Sequence, residues 1–341
     1  MSHEPLRNDR RRVLKIMAAV SAVASLGQPS ISRADPLPEV RRIRLLRSHG
    51  ICIAPQIVAE SLLRSEGFEE VTYVDFRGDA QYPSPSWMLA DNKVDVTLDA
   101  IGTAITSIDA GRPVTMLAGL HLGCYELFAN ERVASVHDLK GKVIPINAFG
   151  GVQHTFLSSI LAYVGLDPRH DVRWEVHPSQ ESMSLLRNAK VDAFLAFPPE
   201  PQQLRANGVS RTILNTGRDK PWSWYYCCCL LANKEFASEY PVATKRATRA
   251  ILKAADLCSR DPGLAAQYVM QSGLNSDYAT VLDTLKDINY RQWRSYNPES
   301  TIRFHSVRLH EFGIVKSTPQ RIIDIGTDWR ILNELRRELK S

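Results

Sequence analysis

The sequence lacks any apolar run long enough to cross a bilayer, which takes roughly 20 residues; the run over 16–26 falls well short. It has no H-E-x-x-H helix, no Walker loop and no G-x-S-x-G elbow, so the usual signatures of metallopeptidases, P-loop NTPases and α/β-hydrolases are missing. Its 6 cysteines never fall in the paired C-x-x-C spacing of a zinc module. Charge of one sign is also scarce: 42 basic side chains oppose 37 acidic ones for a net +5, with no basic stripe interleaved with aromatics. That excludes nucleic acid as a partner. With 44% hydrophobic residues in 341, disorder and a disulfide scaffold are excluded too, and more than one domain is expected.

What is present begins with an export signal. Asp9-Arg10-Arg11-Arg12-Val13-Leu14-Lys15 precedes the apolar run, and Ser32-Arg33-Ala34 offers a small-x-small cleavage site. The adjacent arginines match the twin-arginine pattern. No cysteine follows the run, so a lipid anchor is not expected. Residues 1–34 are therefore read as a signal peptide, and the mature chain as free in the periplasm. Cleavage would remove six basic and two acidic side chains, leaving about +1.

From there the periodicity alternates. Strands are expected over 40–46, 71–76, 94–98 and 114–120, with helices over 56–65, 85–92 and 101–110 between them. The pattern restarts with a glycine turn at Gly141 and a strand over 143–146. A helix to 164, a strand over 172–176, a helix over 180–188 and a strand over 191–196 follow. After a strand over 225–233 the chain is helical to its end. The fold class is α/β: two doubly wound lobes with a helical C-terminal extension. The first lobe is expected to take residues 35–120 and 225–341, and the second 121–224. Crossings near 120–126 and 214–224 would make a hinge.

Asp138-Leu139-Lys140-Gly141-Lys142-Val143 opens the second unit before a Gly-rich strand-to-helix turn, and Ala189-Lys190-Val191-Asp192-Ala193-Phe194 precedes Pro198-Pro199-Glu200. In these segments and in its element order the chain resembles the type 2 periplasmic solute-binding proteins of ABC importers. The resemblance is to the nitrate, taurine, alkylsulfonate and thiamine-pyrimidine-precursor branch. It implies a Venus-flytrap fold, a monomer, a small-molecule ligand between the lobes, an inner-membrane ABC permease as partner, and no enzymatic activity. Trp222-Ser223-Trp224-Tyr225-Tyr226-Cys227-Cys228-Cys229 resembles, in part, the cysteine motif of fungal thiamine-pyrimidine synthases, which share the fold and use iron. Those enzymes carry a further cysteine two places on, where this chain has Leu230 and Leu231. An enzyme using the Cys227–Cys229 triplet is thus one alternative, and a solute-sensing partner of a receptor kinase another.

In doubly wound folds the ligand meets loops at the carboxyl ends of strands, where helix amino termini point into the crevice. His49, Gly50 and Cys52 follow the first strand; Asp99, Ala100 and Thr103 follow the third, where Asp99 either meets a cationic ligand group or caps the next helix. Asn147, Phe149, Gly150, Gly151, Gln153 and His154 form the strand-to-helix turn of the second unit. That turn holds no arginine or lysine, so backbone NH and neutral groups would hold an anion. Phe197, Glu200, Trp222 and Tyr225 lie near the second crossing, where aromatics would sandwich a flat ring. The cysteines read as small buried hydrophobes, with metal binding or a Cys52–Cys124 disulfide as alternatives. In a regular strand Cys227 and Cys229 share one face and Cys228 takes the other, so at most two could reach one ligand. No metal and no cofactor is assigned.

Overall fold

The computed structural model describes residues 36–209, 211–275 and 277–340. The expected signal over 1–34 lies outside the described residues. Among those described, no helix is long and apolar enough to cross a membrane.

The first sheet is built from β1 (Arg42–Arg47), β2 (Glu70–Asp75), β3 (Val96–Ala100) and β4 (Val114–Leu122). After β4 the chain leaves for β5 (Glu126–Ala129), β6 (Val143–Ile146), β7 (Arg173–Val176), β8 (Ala193–Ala196) and β9 (Thr212–Asn215). It then returns as β10 (Tyr226–Asn233), which lies antiparallel between β3 and β4 and gives the order β2-β1-β3-β10-β4. A second, antiparallel sheet has the order β8-β5-β9, and β6 pairs in parallel with β7. The expected α/β class is found, with strand and helix ends shifted by a few residues.

Strands β3, β4 and β10 are buried at every position. Continuous burial of this kind marks a sheet covered on both faces. Where β1 and β3 pair only at Leu45 and Val96, Gln56 bridges them. Its buried side chain donates to the Leu46 carbonyl at 2.5 Å and accepts the Leu98 NH at 2.9 Å. The Pro241–Arg260 helix buries an alanine face that includes Ala243, Ala247, Ala250 and Ala254. Proline at its first turn needs no NH partner there, and Glu39 accepts the Val242 and Ala243 NH groups at 2.9 and 2.8 Å. Near the C-terminus Thr327 makes a parallel bridge to Met116 on β4, so that segment returns to the first sheet.

Two segments link the sheets, and they are joined to each other. Tyr125 NH donates to Thr216 Oγ1 at 2.8 Å, and Thr216 NH donates to the Tyr125 carbonyl at 2.9 Å. Gly123 permits this approach: a Cβ there would lie 2.0 Å from the Thr216 carbonyl oxygen.

Candidate functional site

A cavity of about 740 Å³ opens where the carboxyl ends of five strands converge. Ser48, His49 and Gly50 follow β1, and Phe76 to Ala80 follow β2. Asn147, Val152 and Gln153 follow β6, and Ser179 and Gln180 follow β7. Phe197, Pro199, Glu200 and Gln203 follow β8. This is the placement expected of a doubly wound fold, because strand ends and helix starts alternate at that edge.

Gln153 occupies the first turn of the Val152–Tyr163 helix, whose leading NH groups have no intrahelical acceptor. Its side chain is 2% exposed, and its Nε2 has no hydrogen-bond partner. A buried, unsatisfied donor costs about 1–3 kcal/mol; Nε2 is sealed beneath the cavity wall, and a half-turn of the terminal amide would exchange it with Oε1. Asn147 accepts a hydrogen bond from Ser179 Oγ at 3.1 Å, which ties the loops after β6 and β7 together. Glu200 starts the Glu200–Ala206 helix, and burial pushes its carboxyl up to about 8. At neutral pH it is mainly a neutral acid, able to donate to an anion. Arg77, exposed after β2, adds the one guanidinium of the lining.

Of the sixteen residues expected from sequence, His49, Gly50, Asn147, Gln153, Phe197 and Glu200 line the cavity. The others lie off it. Asp99 is buried and turned beneath the Ile101–Asp109 helix. Its carboxyl accepts from Ser86 NH at 2.9 Å, Ala100 NH at 2.7 Å and Thr103 Oγ1 at 2.8 Å. Those bonds also account for Ala100 and Thr103. His154 accepts the Gly150 NH at Nδ1 (3.2 Å) and packs edge-on against Phe149 and Trp174. Burial lowers its pKa to about 4, so the neutral ring braces the Gly150–Gly151 turn. Trp222 is buried against Phe156, Tyr163 and Phe304, and Tyr225 stacks on Phe304 at 4.0 Å. Arg77, Ser179 and Gln180 were not foreseen, although the same strand-end rule applied to β2 and β7 selects them.

Cys52 sits behind Gly50, under the cavity wall, among other sulfurs. Cys52, His121 and Cys228 present ligand atoms all within 4.8 Å of one another, and so do His121, Cys124 and Cys227. All six cysteines are free. The expected alternation of the triplet does not hold. The pairing of β10 with β4 slips between Tyr226 and Cys228 and again between Cys228 and Cys229. The bulge turns Cys227 and Cys228 into one cluster, with sulfurs 3.8 Å apart. Cys229 instead faces the Asp99 carbonyl.

The periplasmic nitrate-binding protein NrtA from Synechocystis PCC 6803 superimposes with a TM-score of 0.73 at 16% identity, over 89% of this chain and 90% of that one. The zinc-bound ligand-binding component of an ABC-type import system from Staphylococcus aureus gives 0.69 at 13%, over 86% and 99%. The aliphatic sulphonate-binding protein SsuA from Escherichia coli gives 0.62 at 17%, over 82% and 91%. The fold is thus that of the periplasmic solute-binding proteins. No curated protein matches the chain. Residues 89–271, more than half of it, match the NMT1-like family model, and the chain belongs to that family.

Proposed function

We propose that the chain is the periplasmic solute-binding component of an ABC importer and that it captures a small organic anion. The observation carrying this reading is the orphaned Gln153 amide at a helix amino terminus in the cavity wall. Backbone NH groups, a neutral amide, a protonated Glu200 and the Arg77 guanidinium offer donors against one lining carboxylate, Asp79, which already accepts the Gln81 and Tyr82 NH groups; this balance suits a carboxylate, sulfonate or similar oxyanion. The apolar rings of Phe76 and Phe197 would cover an organic tail. Support for transport comes from the fold, because one named neighbour is the ligand-binding component of an ABC-type import system and the other two are periplasmic binding proteins.

In this reading residues 1–34 direct export by the twin-arginine route. The mature monomer forms two lobes, 35–120 with 225–341 and 121–224, that close on the ligand and present the closed form to a permease. Calorimetric titration with nitrate and with aliphatic and aromatic sulfonates and carboxylates tests it. At least one oxyanion is expected to bind with 1:1 stoichiometry and to compact the particle in solution scattering. Silence across the panel, or binding only of cations, would overturn it.

A further inference from the structure

We infer that Cys52, His121, Cys124, Cys227 and Cys228 form a binding site for a thiophilic d10 metal ion, with Zn²⁺ as the test case. Four thiols and one imidazole from three stretches of chain converge, all buried except the partly exposed Cys124. Cys52 comes from the turn after β1, His121 from the end of β4, Cys124 from the outgoing link, and the other two from the start of β10.

The imidazole makes this more than a group of buried hydrophobes. His121 is 0% exposed, and its Nδ1 lies 2.8 Å from the Leu122 carbonyl oxygen, which can only accept. Nδ1 therefore carries a hydrogen, and Nε2 is the atom left to act as a ligand. Nε2 has no hydrogen-bond partner. A backbone carbonyl that fixes the ring through Nδ1–H while Nε2 stays open is the usual support of a metal-bound histidine. An imidazole nitrogen left open in a dry interior is costly, and a cation would satisfy it.

The spacing fits a tetrahedral ion. Zinc–sulfur bonds of about 2.3 Å set sulfur–sulfur edges near 3.8 Å. The Cys227 and Cys228 sulfurs stand 3.8 Å apart, while those of Cys124 and Cys227, at 3.1 Å, would need to spread by about 0.7 Å. A disulfide between Cys124 and Cys227 is the competing fate of so close a pair, but it would leave Cys52, Cys228 and Nε2 without a role. His121 belongs to both ligand trios, and since no four of the ligand atoms lie within 4.8 Å of one another, the two trios would have to draw together for one ion to take His121 and three thiols. Each thiol that binds releases one proton. Cys124 is the one partly exposed ligand, and an ion would enter beside it. Its place, at both links between the sheets, would fasten those links to the turn after β1.

The test uses the full chain purified under reducing conditions and titrated with Cd²⁺, whose thiolate bonds absorb in the ultraviolet. The expected result is saturation at one ion per chain with proton release, with Cd²⁺ displacing Zn²⁺ from a chain loaded with it first. Cys228→Ser and His121→Ala are expected to weaken uptake by at least about tenfold, whereas Cys229→Ser and Cys258→Ser leave it unchanged. X-ray absorption of the Zn²⁺-loaded wild type, which needs no variant to fold, should read a sulfur-rich shell. A reduced chain that takes up no Cd²⁺, or a shell of oxygen and nitrogen alone, would sink the inference. So would peptide mapping that finds Cys124 and Cys227 joined in natively purified protein. These readouts do not involve the cavity ligand, so a failure of the transport reading leaves them intact.

Discussion

The backbone NH of Phe197 donates to the side-chain carboxyl of Glu200 at 3.0 Å, holding a buried acid against the cavity wall. Burial raises that acid from 4.5 to about 8. A carboxyl raised in this way takes up a proton on folding. Its contribution to stability is fully present below about pH 4.5, declines as pH rises, and is exhausted above about pH 8. Glu200→Gln is expected to flatten this fall in urea denaturation at a series of pH values. Anion affinity should follow the same proton, dropping about tenfold for each unit above about pH 8 in the wild type and not in the variant.

Gln153→Met separates binding from folding. It keeps the volume of the side chain while removing the orphaned donor, so unliganded stability should rise by about 1–2 kcal/mol. Anion affinity should fall by about tenfold, a loss of roughly 1.4 kcal/mol. Denaturation and calorimetry on the same preparation read both. An equal loss of stability and affinity would count against the role given to the amide.

Asp99→Ala should do the reverse. Removing the carboxyl leaves the Ser86 and Ala100 NH groups and the Thr103 hydroxyl without that acceptor, which is expected to cost about 3 kcal/mol. Affinity in the surviving folded fraction should be unchanged, because Asp99 does not line the cavity.

Most of the first sheet was legible because burial on both faces writes a largely apolar, uncharged run, as in Val114–Leu122, and Gly111 stops the preceding helix. Glu126–Ala129 and Thr212–Asn215 were not foreseen as strands. They are four residues each, too short for a period of two to stand out, and their pairing is with distant segments. The cysteine cluster was hidden for a related reason. Alternation assigns Cys227 and Cys228 to opposite faces, and only the slip against Leu122 and His121 reunites them. Asp99 was legible as a cap or a ligand but not as one of the two, since both uses ask for a carboxylate after a strand. The cavity residues that were found share one trait: they lie between the end of a strand and the first turn of the helix that follows it.

Gly123→Ala should be poorly tolerated. The added methyl would press on the backbone oxygen of Thr216, which has no flexible end to give way. A loss of about 1–3 kcal/mol or more is expected from chemical denaturation, together with weaker solute binding if the links no longer keep their spacing.

The paired hydrogen bonds of Tyr125 and Thr216 turn two linking threads into a two-ply ribbon. Such a ribbon bends across its width but does not let one ply slide past the other. Any swing of the second sheet is thereby confined to folding about a single line. In the proposed closure, the walls that carry Gln153 and His49 would then meet face to face in the same alignment each time, as the pages of a bound book do.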